Sequence, residues 1–451
     1  MTWTEVHGRA LDAVFGALTE SGVPWLVLRN HQGLPWCNKS KDIDIGVEQR
    51  LLRDAEVVVE GVMKEHGFDR KETTIFQWGR CTSYFGVING AAMSMKIDLM
   101  DGFSWRTAGI FDAARLLERA VPYKGFWITD PIDDATIMWL KPLMTGGYVK
   151  QAYISGIASG VAADPARFRA NLERLFPNSL AALAWQHLES GNYEDVLTHR
   201  KKLAWSAWAR EVALHPARST RNAFSYVFWE LVRRTRRPNA TFFAVLGPDG
   251  VGKTTFIAHF SAKLMELQAK DASAIQVQHF RPHTLPNINE LITGKSEIVT
   301  EFNNPHSAKP ASMPSSILRI TYYWLDYLFG YWLKLRSRLI RGHTIIFDRY
   351  FYDFIVDPRR SRLSLPNWVP RLLLTITPKP DLVFFLDADA DKIFVRKQEL
   401  QPVEIDRQLI AYRQLTATDP SRFVRLDANK SPEEIVEIAA SEAVTRLYSR
   451  L

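Results

Sequence analysis

The sequence has few cysteines and no long apolar run. Only Cys37 and Cys81 occur among 451 residues, too few for a disulfide framework, so we expect a reducing, cytoplasmic compartment. No stretch reaches the roughly 18 uninterrupted apolar residues typical of a membrane-spanning helix. The first residues, MTWTEVHGRALDAVF, lack the basic and apolar segments of a secretory signal peptide. We therefore expect neither a disulfide-stabilised secreted domain nor a transmembrane helix.

The chain also lacks a strong excess of charge of one sign. Its 57 Lys and Arg residues against 49 Asp and Glu give a net charge of +8, which fits the handling of phosphates or of an anionic surface. The basic residues are scattered without interleaved aromatic platforms, so nucleic-acid binding is not expected. Length and a hydrophobic fraction of 46% predict roughly two or three globular domains. Composition leaves the oligomeric state open.

The most informative stretch is residues 241–255, TFFAVLGPDGVGKTT. An apolar strand leads into a glycine-rich turn with the spacing G-x-x-x-x-G-K-[ST], and a helical pattern follows it. Glycines let successive backbone N–H groups converge on a phosphate at the positive end of the helix. Lys253 would bridge the β- and γ-phosphates, and the Thr254 hydroxyl would bind Mg²⁺. The predicted nucleotide-binding residues here are Gly247, Asp249, Gly250, Val251, Gly252, Lys253, Thr254 and Thr255.

Strand and helix patterns alternate along the rest of this half. Further strands are predicted at 274–280, 344–348, 381–387 and 423–427. Such a rhythm is typical of a parallel sheet with helices on both sides and ligands at the carboxyl ends of the strands. A Pro- and Asn-rich segment reaching about residue 313 is predicted as a mobile loop. An aromatic stretch over 317–341 predicts one long helix.

Several motifs in this order make residues 240–451 resemble the thymidylate kinase-like P-loop kinases. They are LGPDGVGKTT (246–255), FRP (280–282), FDRY (347–350), PDLVFFLDAD (380–389) and the Arg396–Lys397 pair. The resemblance implies an α/β domain with a five-stranded parallel sheet and flanking helices. It also implies ATP and Mg²⁺ as cofactors, and transfer of the γ-phosphoryl group to an acceptor.

The resemblance further implies roles for single side chains. Asp249 would contact the acceptor, and Asp348 would bind Mg²⁺ or orient the acceptor. Arg396 and Lys397 would supply positive charge to the transferring phosphoryl group. Asp427 and Asn429 follow the last strand, in the place of the adenine-contacting loop. The predicted catalytic residues are Lys253, Asp348, Arg349, Arg396 and Lys397.

The acceptor side departs from true thymidylate kinases. His283-Thr-Leu follows the arginine–proline step, where that family has an acidic residue and glycines, and residues 351–362 do not resemble its nucleoside-monophosphate pocket. We therefore do not expect dTMP as the substrate. The resemblance to fused chains of this kind implies a small-molecule or glycan acceptor, such as a sugar in surface-polysaccharide assembly. A thymidylate kinase with an accessory domain and a nucleotide-gated regulatory protein stay open. The predicted acceptor-binding residues are Asp249, Arg281, Arg349, Asp353, Arg359 and Arg360.

The N-terminal part presents a second pattern, with three acidic residues on two predicted strands. A helix at 4–21 precedes strands at 24–30 and 42–47, and a meander at 75–79, 84–89 and 93–100 follows. Asp42 and Asp44 lie two apart on one strand and face the same way, and Asp98 lies on the last strand. Carboxylates so placed can hold one or two Mg²⁺ ions.

This order of elements over about residues 1–110 resembles the nucleotidyltransferase superfamily related to DNA polymerase β. The resemblance implies that Asp42, Asp44 and Asp98 bind metal. That superfamily places a Gly-Gly or Gly-Ser turn before the paired acids, whereas LRNHQGLP stands here. An active site, the same fold with a lost site, and an unrelated α+β domain therefore stay open.

We predict three regions. They are a nucleotidyltransferase-like α+β domain at 1–129, a helical accessory region at 130–236 and the kinase-like domain at 240–451. In the middle region Asp164 followed by Pro165 predicts a helix start. The boundary RRTRRPNA (233–240) is interpreted as a solvated linker, in preference to a peripheral contact with an anionic membrane.

Overall fold

The computed structural model describes residues 3–146, 148–149, 151–193, 195–235, 240–286, 311–398 and 400–451. The linker residues 236–239 and most of the polar segment before residue 313 lie outside these ranges, so both predictions stay untested. The chain divides into two compact units. Unit 1 comprises Met1–Tyr84, Ser94–Thr235 and Arg450–Leu451, and unit 2 comprises Phe85–Met93 and Arg236–Ser449. Among the described residues no helix is long and apolar enough to cross a membrane.

The first half of the chain builds a sheet from short strands and packs helices after it. Its strands are β1 (Trp25–Val27), β2 (Ile43–Val47), β3 (Arg70–Phe76), β4 (Gly79–Ile88), β5 (Ala91–Met100), β6 (Phe103–Trp105), β7 (Ala108–Phe111), β8 (Val121–Tyr123) and β9 (Phe126–Ile128). Its helices are α1 (Glu5–Glu20), α2 (Leu52–Glu65), α3 (Ala113–Glu118), α4 (Pro131–Thr145), α5 (Gln151–Ala163), α6 (Pro165–Leu175), α7 (Asn178–Glu189), α8 (Arg200–Leu214) and α9 (Pro216–Thr235).

The larger sheet has eight strands in the order β15-β3-β4-β5-β2-β1-β9-β8, and its edge strand β15 is formed by Ser449–Arg450. Strands β2 and β5 are parallel neighbours, with Asp44 paired to Asp98 and Ile43 to Ile97. Residues two apart on a strand face the same side. Asp44 and Asp98 therefore project from one face, and Asp42 and Lys96 extend that face by one more pair.

Helices α4–α8 share one hydrophobic core with buried residues of β1, β7 and α3. Trp139 on α4 is fully buried and packs edge-on against Phe176, with ring centroids 6.4 Å apart. The α6 helix begins as predicted, because the Asp164 side chain accepts a hydrogen bond from the Arg167 backbone N–H at 2.9 Å. The middle of the chain is thus helical and apolar inside.

Unit 2 contains a five-stranded sheet in the order β11-β12-β10-β13-β14, and every neighbouring pair is parallel. This confirms the predicted parallel sheet. The strands are β10 (Phe242–Leu246), β11 (Ile275–His279), β12 (Thr344–Asp348), β13 (Leu382–Asp387) and β14 (Phe423–Asp427). The helices are α10 (Lys253–Leu267), α11 (Met313–Gly330), α12 (Arg336–Ile340), α13 (Asp353–Val356), α14 (Trp368–Ile376), α15 (Ala390–Arg396), α16 (Pro402–Thr416) and α17 (Pro432–Leu447).

Two predicted elements differ in the structure. The helix predicted over 317–341 is interrupted by a π-helical turn at Tyr331–Leu335. The strand predicted at 75–79 is misplaced, because β3 ends at Phe76 and a turn at residues 77–78 leads into β4. All seven residues of β3 are half-buried, so the strand lacks the alternation of apolar and polar residues from which its start could be predicted.

Candidate functional site

The loop between β10 and α10 has the backbone form that the glycine spacing predicts. Gly247, Gly250 and Gly252 all have positive φ, at 148°, 86° and 106°. An L-residue adopts such φ values only with strain, which is why glycine occupies them. The helix begins at Lys253 directly after the loop, so its free N–H groups and positive dipole end face the concavity. This arrangement can bind an anionic phosphate group.

Lys253 lies folded beneath this loop. Its Nζ donates hydrogen bonds to the carbonyl oxygens of Gly247 at 2.9 Å and Pro248 at 2.7 Å. The side chain is buried, and burial, followed by the nearby positive charge of Arg349, lowers its pKa to about 8. The amine therefore lies inside the loop, against the loop's own carbonyl oxygens.

Asp249, inside the loop, is paired with two arginines. It accepts a hydrogen bond from Arg349 at 2.5 Å and another from Arg360, and Lys253 Nζ lies 3.7 Å away. Burial alone would raise the pKa of Asp249, but Arg349, Lys253 and Arg360 together hold that pKa well below its usual range. The predicted acceptor residues Asp249, Arg349 and Arg360 thus form one cluster.

Arg349 extends this cluster into the interior of unit 2. Its backbone is left-handed, with φ of 70°, and only 2% of the residue is exposed. It donates to Asp353 at 2.6 Å, and the Tyr412 hydroxyl donates to the other oxygen of Asp353 at 2.9 Å. Predicted as a group that grips an acceptor, Arg349 is here a buried link between the loop carboxylate and Asp353.

Asp348 ends β12 next to the phosphate loop. One carboxylate oxygen lies 3.2 Å from His279 Nδ1, and the other is buried without a hydrogen-bond partner among the described residues. Burial opposes ionisation, but the contact with His279 and the charge of Lys253 lower the pKa of Asp348. A buried, ionised carboxylate oxygen with no donor fits a hydrated cation, the role predicted for Asp348.

Arg281 follows β11 and forms an ion pair with Asp326, outside the cluster around Asp249. The buried Arg281 guanidinium lies 3.3 Å from Asp326 on α11, and Asp326 also accepts from the backbone N–H groups of Thr284 and Leu285 at 2.8 Å each. The structure therefore joins Arg281 to α11. No direct contact between Arg281 and Asp249 occurs among the described residues.

The remaining predicted residues of unit 2 line its surface. Thr254 and Thr255 are exposed on the first turn of α10, and Arg359 is exposed beside Arg360. Arg396 and Lys397 are exposed at the end of α15, and a Cβ placed on Gly250 would lie only 2.9 Å from Lys397 Cβ. Arg396 and Lys397, which are predicted to supply positive charge to the transferring phosphoryl group, therefore begin beside the phosphate loop.

A cavity of about 410 Å³ opens beyond the ends of β13 and β14. Its lining residues are Asp387, Ala388, Asp389, Arg413, Arg425, Asp427 and Asn429. Asp427 accepts hydrogen bonds from the backbone and the side-chain amide of Asn429 at 3.0 and 2.9 Å. The sequence predicted Asp427 and Asn429 as adenine-contacting residues. It missed Arg413 and Arg425, which pair with Asp387, since no motif marks them.

The three predicted metal-binding carboxylates of unit 1 lie together. Asp42, Asp44 and Asp98 each offer an oxygen within 4.8 Å of the others. One oxygen of Asp44 and one of Asp98 are buried without a hydrogen-bond partner among the described residues. Burial raises the pKa of Asp98 to about 6, although Lys96 partly opposes the rise. The donor set fits a divalent cation.

Two basic residues that the sequence analysis missed contact these carboxylates. Arg29 forms a hydrogen-bonded ion pair with Asp44, and Lys96 Nζ lies 3.2 Å from Asp98 and 3.6 Å from Asp42. Lys96 could have been found, because it lies two residues before Asp98 on the same strand and shares its face. Arg29 follows β1, where nothing in the sequence marks it.

No family model matches the chain. A solved structure similar to this chain is that of thymidylate kinase from Ehrlichia chaffeensis, with a TM-score of 0.31 and 15% sequence identity. The match covers 46% of this chain and 97% of that chain. This degree of likeness is too low to establish a shared fold or a shared activity.

Proposed function

We propose that unit 2 is an ATP- and Mg²⁺-dependent kinase that transfers a γ-phosphoryl group to a hydroxyl of a small molecule or glycan. The observation that carries the proposal is the buried Lys253 amine beneath a three-glycine loop at a helix N-terminus. An ammonium so placed serves a bound polyphosphate, because phosphoryl transfer needs mainly positioning and neutralisation of charge.

The chain's own residues would act in concert around that loop. The loop N–H groups would hold the β-phosphate, and Lys253 would leave the Gly247 and Pro248 carbonyls to bridge to the γ-phosphate. Asp348 and the Thr254 hydroxyl would hold Mg²⁺, and the metal would neutralise charge on the phosphates. Arg396 and Lys397 would approach the transferring group from the end of α15.

The nucleotide base has a place in this scheme. The cavity at Asp427 and Asn429 lies at the carboxyl ends of β13 and β14, the edge where the phosphate loop also begins. Open parallel sheets bind ligands at that edge. We assign the cavity to the adenosine part of ATP.

A hydroxyl acceptor is supported by the carboxylates near the loop. Asp249 is held ionised by its arginines and can accept a hydrogen bond from a sugar hydroxyl. Arg360 pairs with Asp249, and the exposed Arg359 precedes Arg360 in the chain. A sugar of surface-polysaccharide assembly is the acceptor we propose. Arg281 and Arg349, paired with Asp326, Asp249 and Asp353, are less available to an anionic acceptor.

The test is ATP consumption against a set of sugars, glycans and nucleotides. Wild-type protein should consume ATP with a sugar-type acceptor, and Lys253→Ala should lower that rate by about a hundredfold or more. Lys263→Ala is the matched control, since Lys263 lies on the same helix and pairs with Glu437 at 2.9 Å. Turnover of dTMP at ordinary kinase rates would contradict the sugar acceptor. ATP hydrolysis that no acceptor accelerates would favour a nucleotide-gated regulatory protein instead.

We propose nucleotidyl transfer as a second activity, located in unit 1. The observation that favours it is the approach of Asp42, Asp44 and Asp98 within 4.8 Å. An Asp42→Asn/Asp44→Asn variant should lose metal-dependent transfer of a nucleoside monophosphate while ATP consumption by unit 2 continues. Equal transfer by wild type and variant with every nucleoside triphosphate would rule this activity out.

A further inference from the structure

Lys96 occupies a position among the carboxylates of unit 1 that strand pairing dictates. In the parallel pairing of β2 and β5, Ile43 lies beside Ile97 and Asp44 beside Asp98. Asp42 directly precedes β2 and Lys96 precedes Ile97, so continuing this register by one residue brings Asp42 beside Lys96. Both pairs project from one face of the sheet. The Lys96 side chain therefore lies on the same face of the sheet as the carboxylates.

The Lys96 ammonium bridges two of the three carboxylates. Its Nζ lies 3.2 Å from Asp98 and 3.6 Å from Asp42, and only 27% of the Lys96 side chain is exposed. A positive charge held between two carboxylates is in the position that a bridging metal ion would take.

A second positive charge lies at the other end of the row. Arg29 pairs with Asp44, so Lys96 and Arg29 together place two positive charges against three carboxylates. These five groups sum to −1, which is −3 from the carboxylates and +2 from the bases. A pair of divalent cations would bring +4 to this cluster. Such a charge would be strongly repelled by Lys96 at this distance.

One part of the cluster is still open to a cation. The buried oxygens Asp44 Oδ1 and Asp98 Oδ1 have no hydrogen-bond partner among the described residues, and Asp44 and Asp98 are adjacent across β2 and β5. Oxygens of this kind are the ligands that a hard divalent cation prefers. We propose that this cluster binds a single divalent cation, on Asp44 and Asp98, and that the Lys96 ammonium takes the place of a second one.

The inference concerns metal binding in unit 1 and does not depend on kinase activity or on nucleotidyl transfer. It identifies Lys96 as a positioning residue, fixed by the sheet, that limits how many ions the carboxylates accept. A neutral side chain at position 96 would leave Asp42 and Asp98 without that charge and open the second position. An arginine at position 96 would keep the positive charge, and the cluster would still bind one divalent cation.

The experiment titrates the full chain with Mn²⁺ in the absence of nucleotide, with free Mn²⁺ measured from its electron paramagnetic resonance signal. Ions that disappear in the Asp42→Asn/Asp44→Asn variant are assigned to this cluster. Wild type should bind one such ion. Lys96→Met should bind two, or bind the first about tenfold more tightly, whereas Lys96→Arg should resemble wild type.

The wild-type count tests the inference without any substitution. Two cluster-bound ions in the wild type, or none, would overturn it. Unchanged stoichiometry and affinity in Lys96→Met, with circular dichroism showing that the variant is folded, would overturn it as well. The number of bound ions does not depend on whether the protein transfers nucleotides. The metal-binding inference and the proposed nucleotidyl transfer can therefore each fail without the other.

Discussion

Lys253 carries its charge in a place that disfavours charge. The amine is enclosed by the phosphate loop, and two of its three N–H donors are used by the carbonyl oxygens of Gly247 and Pro248. Asp134 on α4 is a second such residue, since it is buried and one of its oxygens has no hydrogen-bond partner among the described residues. The protonation of each group therefore changes within an accessible pH range, and a prediction follows for each.

Nucleotide affinity should fall as the pH rises through about 8. The pKa of Lys253 is lowered to about 8 by burial, so the nucleotide-free protein loses this proton above that pH. A bound triphosphate favours the charged amine, so the dissociation constant should rise by about tenfold per pH unit there. Titration with a fluorescent ATP analogue from pH 7 to 9.5 measures it. Lys253→Arg, charged throughout, should give a flat profile, and a flat wild-type profile would contradict the prediction.

Asp134→Asn should stabilise unit 1 at alkaline pH. Burial raises the pKa of Asp134 to about 7, above its unfolded value, so the folded state binds the proton more tightly. Stability is therefore lost as the pH rises from about 4 through 7, and asparagine removes that loss. The gain at pH 8 should be on the order of 2–4 kcal/mol and smaller at pH 5.

Thermal unfolding at the two pH values tests this expectation for Asp134. Asp54→Asn is the control, because Asp54 lies in the first turn of α2 and is exposed. It should change the melting temperature little at either pH. An equal effect of Asp134→Asn at pH 5 and pH 8 would show that burial of the charge is not the cause.

At the scale of elements, the phosphate loop depends on close contact with α15. Gly250 has φ of 86°, and an added Cβ would lie 2.9 Å from Lys397 Cβ and 3.4 Å from Ile393. A side chain at position 250 would have two effects. It would strain the backbone, and it would push α15 away from the loop. The loop geometry and the position of Arg396 and Lys397 are thus set by one glycine.

Gly250→Ala should therefore weaken nucleotide binding by about tenfold or more, since a left-handed alanine alone costs roughly 1–2 kcal/mol. Equilibrium binding of an ATP analogue measures the loss. Gly16→Ala is the matched control, because Gly16 lies inside α1 with nothing within 4 Å of its added Cβ. It should leave nucleotide binding unchanged, and equal binding by both variants would contradict the steric account.

Periodic and motif-bearing elements could be predicted from the sequence, and elements held by their neighbours could not. The strands at 344–348 and 423–427 were predicted at their observed bounds. Helix α5 was missed because QAYISGIASGVAA is rich in Gly and Ser, which favour other conformations. Its small residues instead allow close packing on α4, since a Cβ on Gly160 would meet Ala135 Cβ at 2.3 Å.

The same distinction holds for the candidate sites. The phosphate loop and the three aspartates of unit 1 follow from local spacing, so their residues could be named in advance. Arg29, Asp134 and Arg413 reach their positions through pairing of distant segments. The spacing of residues along the sequence does not predict which arginine pairs with which carboxylate. Such ion pairs can be identified only from the folded structure.

At the scale of the whole molecule, the two units carry separate cores and separate candidate sites. Trp139 lies in the core of unit 1 and Phe243 in that of unit 2, both fully buried. The candidate metal cluster belongs entirely to unit 1 and the phosphate loop entirely to unit 2. Substitutions in one site therefore serve as controls for the other.

The two units are not divided at a single position in the sequence. Phe85–Met93 belongs to unit 2 although unit 1 surrounds it in sequence, and the last two residues, Arg450–Leu451, return to unit 1. Phe85 and Ala92 are buried with the core of unit 2. On the ribosome, unit 2 must keep a segment that was made about 150 residues earlier. Unit 1 lacks Arg450–Leu451 until the rest of residues 1–451 has been made, so neither half of this sequence contains one complete unit.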